Sequence, residues 1–372
     1  MTRRLIAPLL VAALAVIAAP AAAQAPIRIG EINSFSGIGA PFTGPYRSAV
    51  EMAVEEVNAK GGVLGRKVEV LFRDDKGQPA EAVKHAQELV ASEKVALVSG
   101  TFLSNVGLAV SDWAKQNKTL FVAAEPLTEA ITWSKGHDYV FRVRPNTYQQ
   151  GRMLAEKAGK MKYAKWATIG PNYEYGKRAW ETFRDRLKEL KPDVQVVGEQ
   201  WPALGKIDAS AEVGAVLAKN PEALYVSLFG SDWLAFVREA QKRGLFQKTF
   251  VVGILLGEPE YIDPLKTEAP EGMLVTGYPW YDLQQPAHKD FVARFTKKTD
   301  KLVAAFRDLK VETPIGPISY RGVDGQSTMG AWVGTTKVDP KRGVGIMVNH
   351  EYVAGEKVLP SDEEVKKLRP GN

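Results

Sequence analysis

The chain contains no cysteine, and this absence removes several classes of function at once. Without thiols there is no disulfide framework, no thiolate metal site, no cysteine nucleophile and no lipid-modified cysteine at an export cleavage site. Histidine is also scarce, because the 372 residues include only 4. They are dispersed, so each is interpreted as a surface residue rather than a base or a metal ligand: His85, His137, His288 and His350. We therefore expect no metal and no cofactor, and a fold stabilised by burial of apolar side chains.

Long apolar runs are absent except for one near the N-terminus. Arg3 and Arg4 precede an apolar stretch from Leu5 to Ala19, and small residues follow at 21–25. This order is typical of a secretory signal peptide with an A-x-A cleavage site, here residues 1–23. A membrane anchor is the alternative, but the run falls short of the roughly 20 apolar residues that span a bilayer. The sequence thus predicts a soluble protein exported to the periplasm.

Motifs of common enzyme classes are missing as well. The chain has no G-x-x-x-x-G-K-[ST], H-E-x-x-H or G-x-S-x-G, and Phe42 replaces the third glycine of a dinucleotide fingerprint that would begin at Gly37. Asp74 and Asp75 are interpreted as a turn with Lys76 and Gly77 rather than as a metal site. The formal charge is +6, but the chain contains no run of five basic residues. The lack of clustered lysine and arginine argues against nucleic acid as a partner. We expect a monomeric protein that is not an enzyme.

Strand and helix patterns alternate along the first part of the mature chain. Short apolar or alternating runs predict strands at 27–32, 68–72, 95–98 and 120–122. Apolar stripes at helical spacing predict helices at 46–60, from Pro79 to about 90, and at 105–116. Gly61 and Gly62 follow the first helix, where glycine commonly ends helices. This alternation indicates βαβ units around a parallel sheet with helices on both faces.

The alternation restarts after Arg142, beyond an extended, proline-containing segment at 141–146 that is a candidate hinge. Helices are predicted at 147–160, 176–190, 209–219 and 232–243, the last one ended by Gly244. Strands are predicted at 164–169, 194–198, 223–228 and 249–252. The fold class is therefore α/β, with two doubly wound parallel-sheet lobes.

Several segments resemble the leucine/isoleucine/valine-type periplasmic binding proteins of branched-chain amino acid transporters. The longest runs from Ala49 to Arg66 and contains the helix end N-A-K-G-G followed by V-L-G-R. Shorter matches, in family order, are 34–37 (SFSG), 100–105 (GTFLSN), 141–142 (FR) with 149–151 (QQG), 173–176 (YEYG), 269–273 (APEGM) and 313–318 (TPIGPI). Together they cover nearly the whole mature chain.

The resemblance implies a type I periplasmic binding protein, whose two lobes are joined by three crossovers near 142–146, 275–282 and 314–326. The N-terminal lobe would comprise 24–143 plus 280–317, and the C-terminal lobe 144–279 plus 318–372. Such a protein encloses a small-molecule solute between its lobes and presents it to the permease subunits of an ABC transporter. A ligand-sensing module of a receptor is an alternative use of the same fold.

One departure from the family lies near residue 299. Family members carry an additional alanine-rich helix between the segments that end here at Lys298 and begin at Asp300. The resemblance therefore implies an internal deletion near residue 299, with 288–309 read as one continuous helix. An exposed apolar patch on the N-terminal lobe is the expected physical consequence.

Candidate ligand-binding residues lie in loops after the predicted strands, because ligands of α/β sheets bind beyond the carboxyl ends of the strands. Ser104 precedes a helix and is interpreted either as a plain N-cap or as a donor to a ligand carboxylate. Thr101 and Asn105 are weaker candidates in the same loop. The resemblance suggests Ala124 and Thr128 for the ligand head group.

Charged and aromatic side chains complete the candidate site. Glu125 would pair with a ligand ammonium or hydroxyl, or be a solvated carboxylate at the rim. Asp232 is either a helix cap or a contact. Five aromatic residues are expected either in the core or as apolar walls of the site: Phe42, Phe102, Tyr148, Tyr175 and Phe229.

The nature of the solute stays open at this stage. Amino-acid binders of the family place a glutamate after the strand that here ends near Gly253, whereas this chain continues through 254–257 and has Glu258 further on. A buried ammonium without a carboxylate partner is unfavourable. The solute is therefore a small amino acid or related small carboxylate, or a non-amino aromatic or aliphatic carboxylate.

Overall fold

Two largely parallel β-sheets, each flanked by helices, organise the chain. The computed structural model describes residues 24–298, 310–313, 316–319, 321 and 326–368. The predicted signal peptide and the predicted deletion point at residue 299 lie outside these residues. Within the described ranges, no helix combines the length and apolar character needed to cross a bilayer.

The first sheet is five-stranded and entirely parallel, with the order β2-β1-β3-β4-β5. Its strands are β1 (Ile27–Asn33), β2 (Val68–Asp74), β3 (Leu97–Gly100), β4 (Phe121–Ala123) and β5 (Val140–Arg142). Its helices are α1 (Ala40–Ala59), α2 (Pro79–Ala91) and α3 (Ser104–Gln116). The predicted strand and helix order of this lobe is confirmed.

The second sheet has seven strands in the order β14-β13-β10-β9-β8-β6-β7. Its strands are β6 (Lys165–Ile169), β7 (Gln195–Gln200), β8 (Ala223–Val226), β9 (Phe250–Gly257), β10 (Leu274–Gly277), β13 (Ala331–Asp339) and β14 (Val344–Val353). Its helices are α4 (Thr147–Ala158), α5 (Glu174–Leu190), α6 (Ala209–Ala218), α7 (Gly230–Lys242), α8 (Leu245–Lys248), α9 (Pro259–Ile262) and α11 (Asp362–Leu368). Strands β13 and β14 are antiparallel and extend the otherwise parallel sheet.

Two further strands and one helix complete the described chain. Helix α10 spans Pro286–Lys298, and β11 (Lys310–Thr313) pairs with β12 (Gly316–Ser319) in an antiparallel hairpin. Arg294 of α10 contacts Glu56 of α1 at 2.6 Å, so α10 lies against the first sheet's helices. The helix predicted over 288–309 is present as α10 up to Lys298 and begins two residues earlier, at Pro286. Residues 299–309 lie outside the described ranges, so its continuation remains a prediction.

Apolar side chains that recur at helical spacing bury one face of each helix. In the second lobe, Trp166, Trp180 and Trp233 are each at most 1% exposed. The Phe183 ring stacks on Tyr225 of β8 at 4.4 Å between centroids. Truncating one such aromatic side chain typically costs about 3–5 kcal/mol. This burial replaces the disulfides that the sequence lacks.

Some predicted boundaries were displaced for identifiable reasons. Helix α1 begins six residues earlier than predicted, because Pro41 occupies its first turn and Pro45 lies inside it, which hides the helical pattern. Gly244 ends α7 with φ +66°, as predicted for a glycine after a helix. The second crossover was placed too early, since Leu274–Gly277 is an inner strand of the second sheet and the chain leaves that sheet only afterwards.

Among the described residues, the exposed large apolar side chains do not form the patch that was expected on the first lobe. The large apolar residues with high exposure are Val63, Leu64, Leu190 and Leu368, which lie in a loop and at helix ends. The residues of β2, at the sheet edge, are only partly exposed.

The hinge connects the lobes between β5 and α4. Asn146 caps α4 by accepting from the Gln149 N–H at 2.9 Å, while the Gln149 side chain accepts from the Asn146 N–H at 3.0 Å. Asn146 also donates to Gln326 at 3.2 Å, and Ser327 donates to the Val143 carbonyl. The returning chain therefore runs beside the first crossover. The residue boundaries of the two lobes remain a prediction.

Candidate functional site

A small cavity lies between the two lobes, at the carboxyl ends of their parallel strands. Loops after β3 and β4 supply its first-lobe wall, and loops after β6, β8 and β9 supply its second-lobe wall. The side chains around it are Phe42, Phe102, Ser104, Glu125, Leu127, Arg144, Tyr173, Tyr175, Phe229, Leu255, Glu258 and Tyr261. Open α/β sheets bind ligands at this position.

An ion pair between Arg144 and Glu258 lies in the wall of the cavity. The Arg144 Nη2 atom donates to Glu258 Oε1 at 2.9 Å, and both side chains are about one-fifth exposed. Arg144 comes from the hinge, and Glu258 follows β9 in the second lobe. The pair therefore connects the hinge segment to the second-lobe wall of the cavity.

A second cavity carboxylate, Glu125, belongs to the first lobe. It is 9% exposed and accepts a hydrogen bond from Asn33 Nδ2 at 2.7 Å. Burial raises the pKa of Glu125 to about 7, while Arg144 and the Asn33 hydrogen bond act in the opposite direction. Burial also raises the pKa of Glu258, against the lowering effect of Arg144. Glu260, close by, has its pKa raised to about 7 by burial and then by the charge of Glu258.

These groups give the cavity an excess of potential negative charge. Two carboxyl groups, Glu125 and Glu258, face one guanidinium, that of Arg144, and Glu260 adds a third carboxyl group nearby. Their raised pKa values express the cost of holding carboxylates together in a poorly hydrated space. A cationic group placed between them would lower that cost.

Ser104 lines the cavity at the start of α3. Its oxygen accepts backbone hydrogen bonds from Leu127 at 3.2 Å and Thr128 at 3.1 Å. Because two N–H groups occupy the oxygen, the hydroxyl proton is left to donate. The interpretation of Ser104 as an N-cap is wrong, since Leu103 holds that position and Ser104 is the first helical residue. Its role as a donor to a ligand stays a prediction.

Aromatic rings from both lobes meet across the cavity. Phe42 and Phe102 of the first lobe stack at 5.2 Å between centroids. Phe42 also contacts Tyr261 at 5.2 Å, and Phe102 contacts Phe229 at 5.9 Å, both in the second lobe. These contacts place the lobes in a closed arrangement with apolar walls around the charged groups.

The Tyr175 hydroxyl has no hydrogen-bond partner among the described residues, although its side chain is only 3% exposed. Its ring packs edge-on against Phe229 at 5.9 Å, which fixes its position in the wall. Burial raises its pKa, so the hydroxyl is protonated at neutral pH. An unpaired buried hydroxyl is unfavourable by about 1–3 kcal/mol. A ligand acceptor beside it would supply the missing partner.

An irregularity in β9 brings Leu255 and Glu258 to the cavity. Val275 of β10 pairs with Gly253, but Gly277 pairs with Gly257, so β9 holds two extra residues between these pairs. Leu255 lies in this bulge with φ +65°. A side chain on Gly277 would lie 2.2 Å from the Gly257 carbonyl carbon, so only glycine permits this close approach. The two extra residues account for part of the distance along the chain between Gly253 and Glu258. As a result, Glu258 directly follows the strand.

Six of the eleven predicted ligand residues line the cavity together: Phe42, Phe102, Ser104, Glu125, Tyr175 and Phe229. Three others lie behind its wall. Thr101 has φ +59° and is fully buried, while its N–H donates to the Ile32 carbonyl. Ala124 is buried and donates its N–H to Gly100, and Asn105 lies in the first turn of α3 beyond Ser104.

Thr128 and Tyr148 are engaged elsewhere. The Thr128 hydroxyl donates to Glu174 of the second lobe at 2.7 Å, so it links the lobes instead of facing the cavity. The Tyr148 ring packs edge-on against Trp133 at 4.7 Å and lies away from the cavity lining. Asp232 does not cap α7, whose N-cap is Phe229, but accepts from the Gly205 N–H at 2.7 Å.

Sequence reasoning did not select six lining residues: Leu127, Arg144, Tyr173, Leu255, Glu258 and Tyr261. Arg144 stood in the segment predicted as a hinge, and Tyr173 stood two residues before Tyr175, so both carried a usable signal. Glu258 was noticed but judged too far along the chain, because the bulge in β9 has no sequence signature.

The loop around Glu125 is held by Arg142, which is fully buried and donates to the carbonyls of Pro126 and Thr128.

Comparisons with known proteins identify the family. The family model described as periplasmic binding protein matches residues 26–302. The Leu/Ile/Val-binding protein homolog 7 of Brucella suis biovar 1 is 29% identical over 323 residues, covering 84% of this chain and 77% of the relative. The Leu/Ile/Val-binding protein of Escherichia coli K12 is 26% identical over 281 residues, covering 75% of each chain.

Solved structures agree on the fold. The closed leucine-, isoleucine-, valine-, threonine- and alanine-binding protein of Brucella ovis has a TM-score of 0.78 at 20% identity, covering 93% of this chain and 98% of that one. A solute-binding protein of an ABC transporter from Rhodopseudomonas palustris HaA2, in complex with p-hydroxybenzoic acid, has a TM-score of 0.77 at 20% identity, covering 92% and 100%. The Leu/Ile/Val-binding relatives support its branched-chain amino acid type. The predicted fold class is confirmed, and the chain belongs to the periplasmic binding protein family.

Proposed function

We propose that this protein captures an amino acid with an apolar side chain between its lobes and delivers it to an ABC importer. The observation that carries the proposal is the charge of the cavity, where two carboxyl groups face a single guanidinium. The protein would be exported to the periplasm, act as a monomer and meet the permease subunits in its closed form. The Leu/Ile/Val-binding relatives support this assignment.

The charged groups suit a zwitterion. Its ammonium would lie between Glu258 and Glu125, where a positive charge offsets the excess of carboxyl groups. Its carboxylate would accept from the Ser104 hydroxyl at the start of α3, whose free N–H groups and positive dipole end favour an anion. The ammonium would thus contact carboxyl groups from both lobes, which couples binding to closure.

The apolar side chain of the solute would pack among the rings. Phe42 and Phe102 of the first lobe contact Phe229 and Tyr261 of the second, so the solute side chain would pack against this aromatic cluster. Burial of apolar surface there contributes about 25 cal/mol for each Å² removed from water.

A hydroxylated aromatic carboxylate is the second candidate, supported by the aromatic walls and the unpaired Tyr175 hydroxyl. Its ring would pack against the same aromatic cluster, and its carboxylate would pair with Arg144. Structural relatives from Rhodopseudomonas palustris were solved with 3,4-dihydroxybenzoic acid, 4-hydroxybenzoate and p-hydroxybenzoic acid. This candidate requires Arg144 to exchange Glu258 for the ligand.

Calorimetric titration of the mature protein with L-leucine, L-phenylalanine and 4-hydroxybenzoate separates the two candidates. We expect tightest binding of an amino acid, and Glu258→Gln to weaken it by about 2 kcal/mol or more, roughly thirtyfold in Kd. The same substitution releases Arg144 and should leave 4-hydroxybenzoate binding unchanged or tighter. Glu268→Gln is the matched control, because Glu268 pairs with Arg238 at 2.8 Å on the exposed surface. Exclusive binding of 4-hydroxybenzoate would overturn the amino acid proposal.

A further inference from the structure

A closed ring of hydrogen bonds connects the hinge to the β9 bulge behind the cavity. We infer that Thr276, which does not touch the cavity, is a positioning residue that sets solute affinity through this ring. The ring consists of Arg144, Pro145, Gln150, Thr276, Leu255 and Glu258. The inference rests on the proposed function for its effect on affinity, but the geometry of the ring is independent of any solute.

Each link of the ring is present in the structure. The Leu255 N–H donates to Thr276 Oγ1 at 2.8 Å, and that hydroxyl donates to Gln150 Oε1 at 2.8 Å. Gln150 Nε2 donates to the Pro145 carbonyl at 3.2 Å. The next residue back is Arg144, whose guanidinium contacts Glu258 at 2.9 Å. The Glu258 N–H donates to the Leu255 carbonyl at 2.9 Å and closes the ring.

The bulge explains why the Thr276 hydroxyl is needed. Two extra residues in β9 leave the Leu255 N–H without a partner from the strand ladder, and the hydroxyl accepts it instead. Leu255 also holds φ +65°, a conformation that costs a non-glycine residue about 1–2 kcal/mol. Such strain persists only where surrounding contacts enforce it. Thr276 is 0% exposed and Leu255 4%, so water cannot take over the hydroxyl's role.

The consequence reaches the solute through two cavity residues. Leu255 and Glu258 both line the cavity. Leu255 lies in the bulge and Glu258 directly follows it, so the positions of both depend on its conformation. If the bulge relaxes, the Leu255 side chain shifts in the wall and Glu258 loses its alignment with Arg144. The same ring includes the hinge segment, so it also links the pivot to the group proposed to hold the ligand ammonium.

The test compares three threonine variants by calorimetric titration with L-leucine and L-phenylalanine. Thr276→Val removes the hydroxyl at nearly constant shape and should raise Kd about tenfold. Thr276→Ser keeps the hydroxyl and should restore Kd to within about twofold of wild type. Thr336→Val is the matched control, since the buried Thr336 hydroxyl also accepts an N–H, from Met273 at 3.1 Å, and donates to the Pro270 carbonyl, far from the cavity. It should lower stability and leave Kd unchanged.

A double-mutant cycle distinguishes positioning from a general structural role. If Thr276 acts through Glu258, Thr276→Val should have much less effect on Kd in the Glu258→Gln background. Equal effects in both backgrounds, or a Thr276→Val protein that binds as wild type, would overturn the inference. Gln150→Leu breaks the next link and should reproduce the loss, which provides a second variant if Thr276→Val cannot be purified.

Crystal structures of unliganded Thr276→Val and Thr276→Ser test the positioning role of Thr276 even if wild type binds neither amino acid. Absence of binding would refute the proposed function, but the geometry of the ring could still be measured. We expect the 2.9 Å contact between Arg144 and Glu258 to persist in Thr276→Ser and to exceed 4 Å in Thr276→Val. An unchanged contact and an unchanged Leu255 backbone in Thr276→Val would overturn the positioning role.

Discussion

Changing the pH between 6 and 8 should change the affinity of the site in a direction that reveals the charge of its solute. Glu125 has its pKa raised to about 7 by burial, so it passes from mostly neutral to mostly ionised over this interval. An ammonium favours the ionised carboxylate. An anionic aromatic carboxylate favours the neutral form. The two candidate solutes therefore predict opposite slopes.

The magnitude follows from the ionised fraction of Glu125. With a pKa of about 7, about one-tenth of the carboxyl groups is ionised at pH 6 and about nine-tenths at pH 8. If only the ionised form binds, the apparent Kd for L-leucine falls by about tenfold from pH 6 to pH 8, since affinity scales with the competent fraction. If only the neutral form binds, the Kd for 4-hydroxybenzoate rises by about the same factor.

The assay is calorimetric titration at pH 6, 7 and 8 with wild type and Glu125→Gln. Four carboxyl groups act electrostatically on Glu125 or share its cavity: Glu258, Glu260, Asp75 and Glu31. Arg144 is the cation that faces it. Glu260, whose pKa is also raised to about 7, remains in the variant, so Glu125→Gln removes only the contribution of Glu125 and should reduce the slope. A wild-type Kd that does not change with pH, or a slope that Glu125→Gln leaves unchanged, would refute the reasoning.

Three further predictions concern other parts of the structure. Ser104→Ala removes the donor at the start of α3 and should weaken amino acid binding by about 1 kcal/mol or more, roughly fivefold or more in Kd by titration; unchanged affinity would remove Ser104 from the site. Glu31 is 1% exposed, and burial raises its pKa to about 8, so its stabilising contribution is complete below about pH 4.5 and is lost as pH rises through 8. Glu31→Gln should therefore raise the Tm at pH 8 more than at pH 5 by calorimetry, and an equal change at both pH values would contradict the assigned pKa. Gly257→Ala would place a Cβ atom 2.1 Å from the Met347 methyl group and 2.8 Å from Cγ2 of the fully buried, β-branched Val275. It should therefore lower stability by about 1–3 kcal/mol in urea unfolding, and a neutral effect would show that the bulge tolerates a side chain.

The order of elements was predictable from sequence because local patterns encode it. Apolar stripes and alternating runs located most helices and strands, and Gly244 marked the end of α7. Prediction failed where the boundary of an element is not marked by the spacing of its apolar residues. The start of α1 is hidden by Pro41 and Pro45, and β10 was read as a crossover because a four-residue strand looks the same in either role.

The site was partly predictable for a related reason. Loops after parallel strands can be located from the strand pattern, and that located Ser104, Glu125 and Tyr175. The orientation of each side chain depends on contacts between distant segments, which explains why Thr128 and Tyr148 were placed in the site although they pack elsewhere. The position of Glu258 depends on a bulge that arises only when β9 pairs with β10.

The most direct test of the whole account is a crystal structure of the mature protein grown with L-leucine or L-phenylalanine. The account predicts one amino acid enclosed between the lobes, with its carboxylate within hydrogen-bond distance of Ser104 and its ammonium within hydrogen-bond distance of Glu258. A ligand bound outside the cleft, or one in the cleft with these two ends reversed, would contradict it.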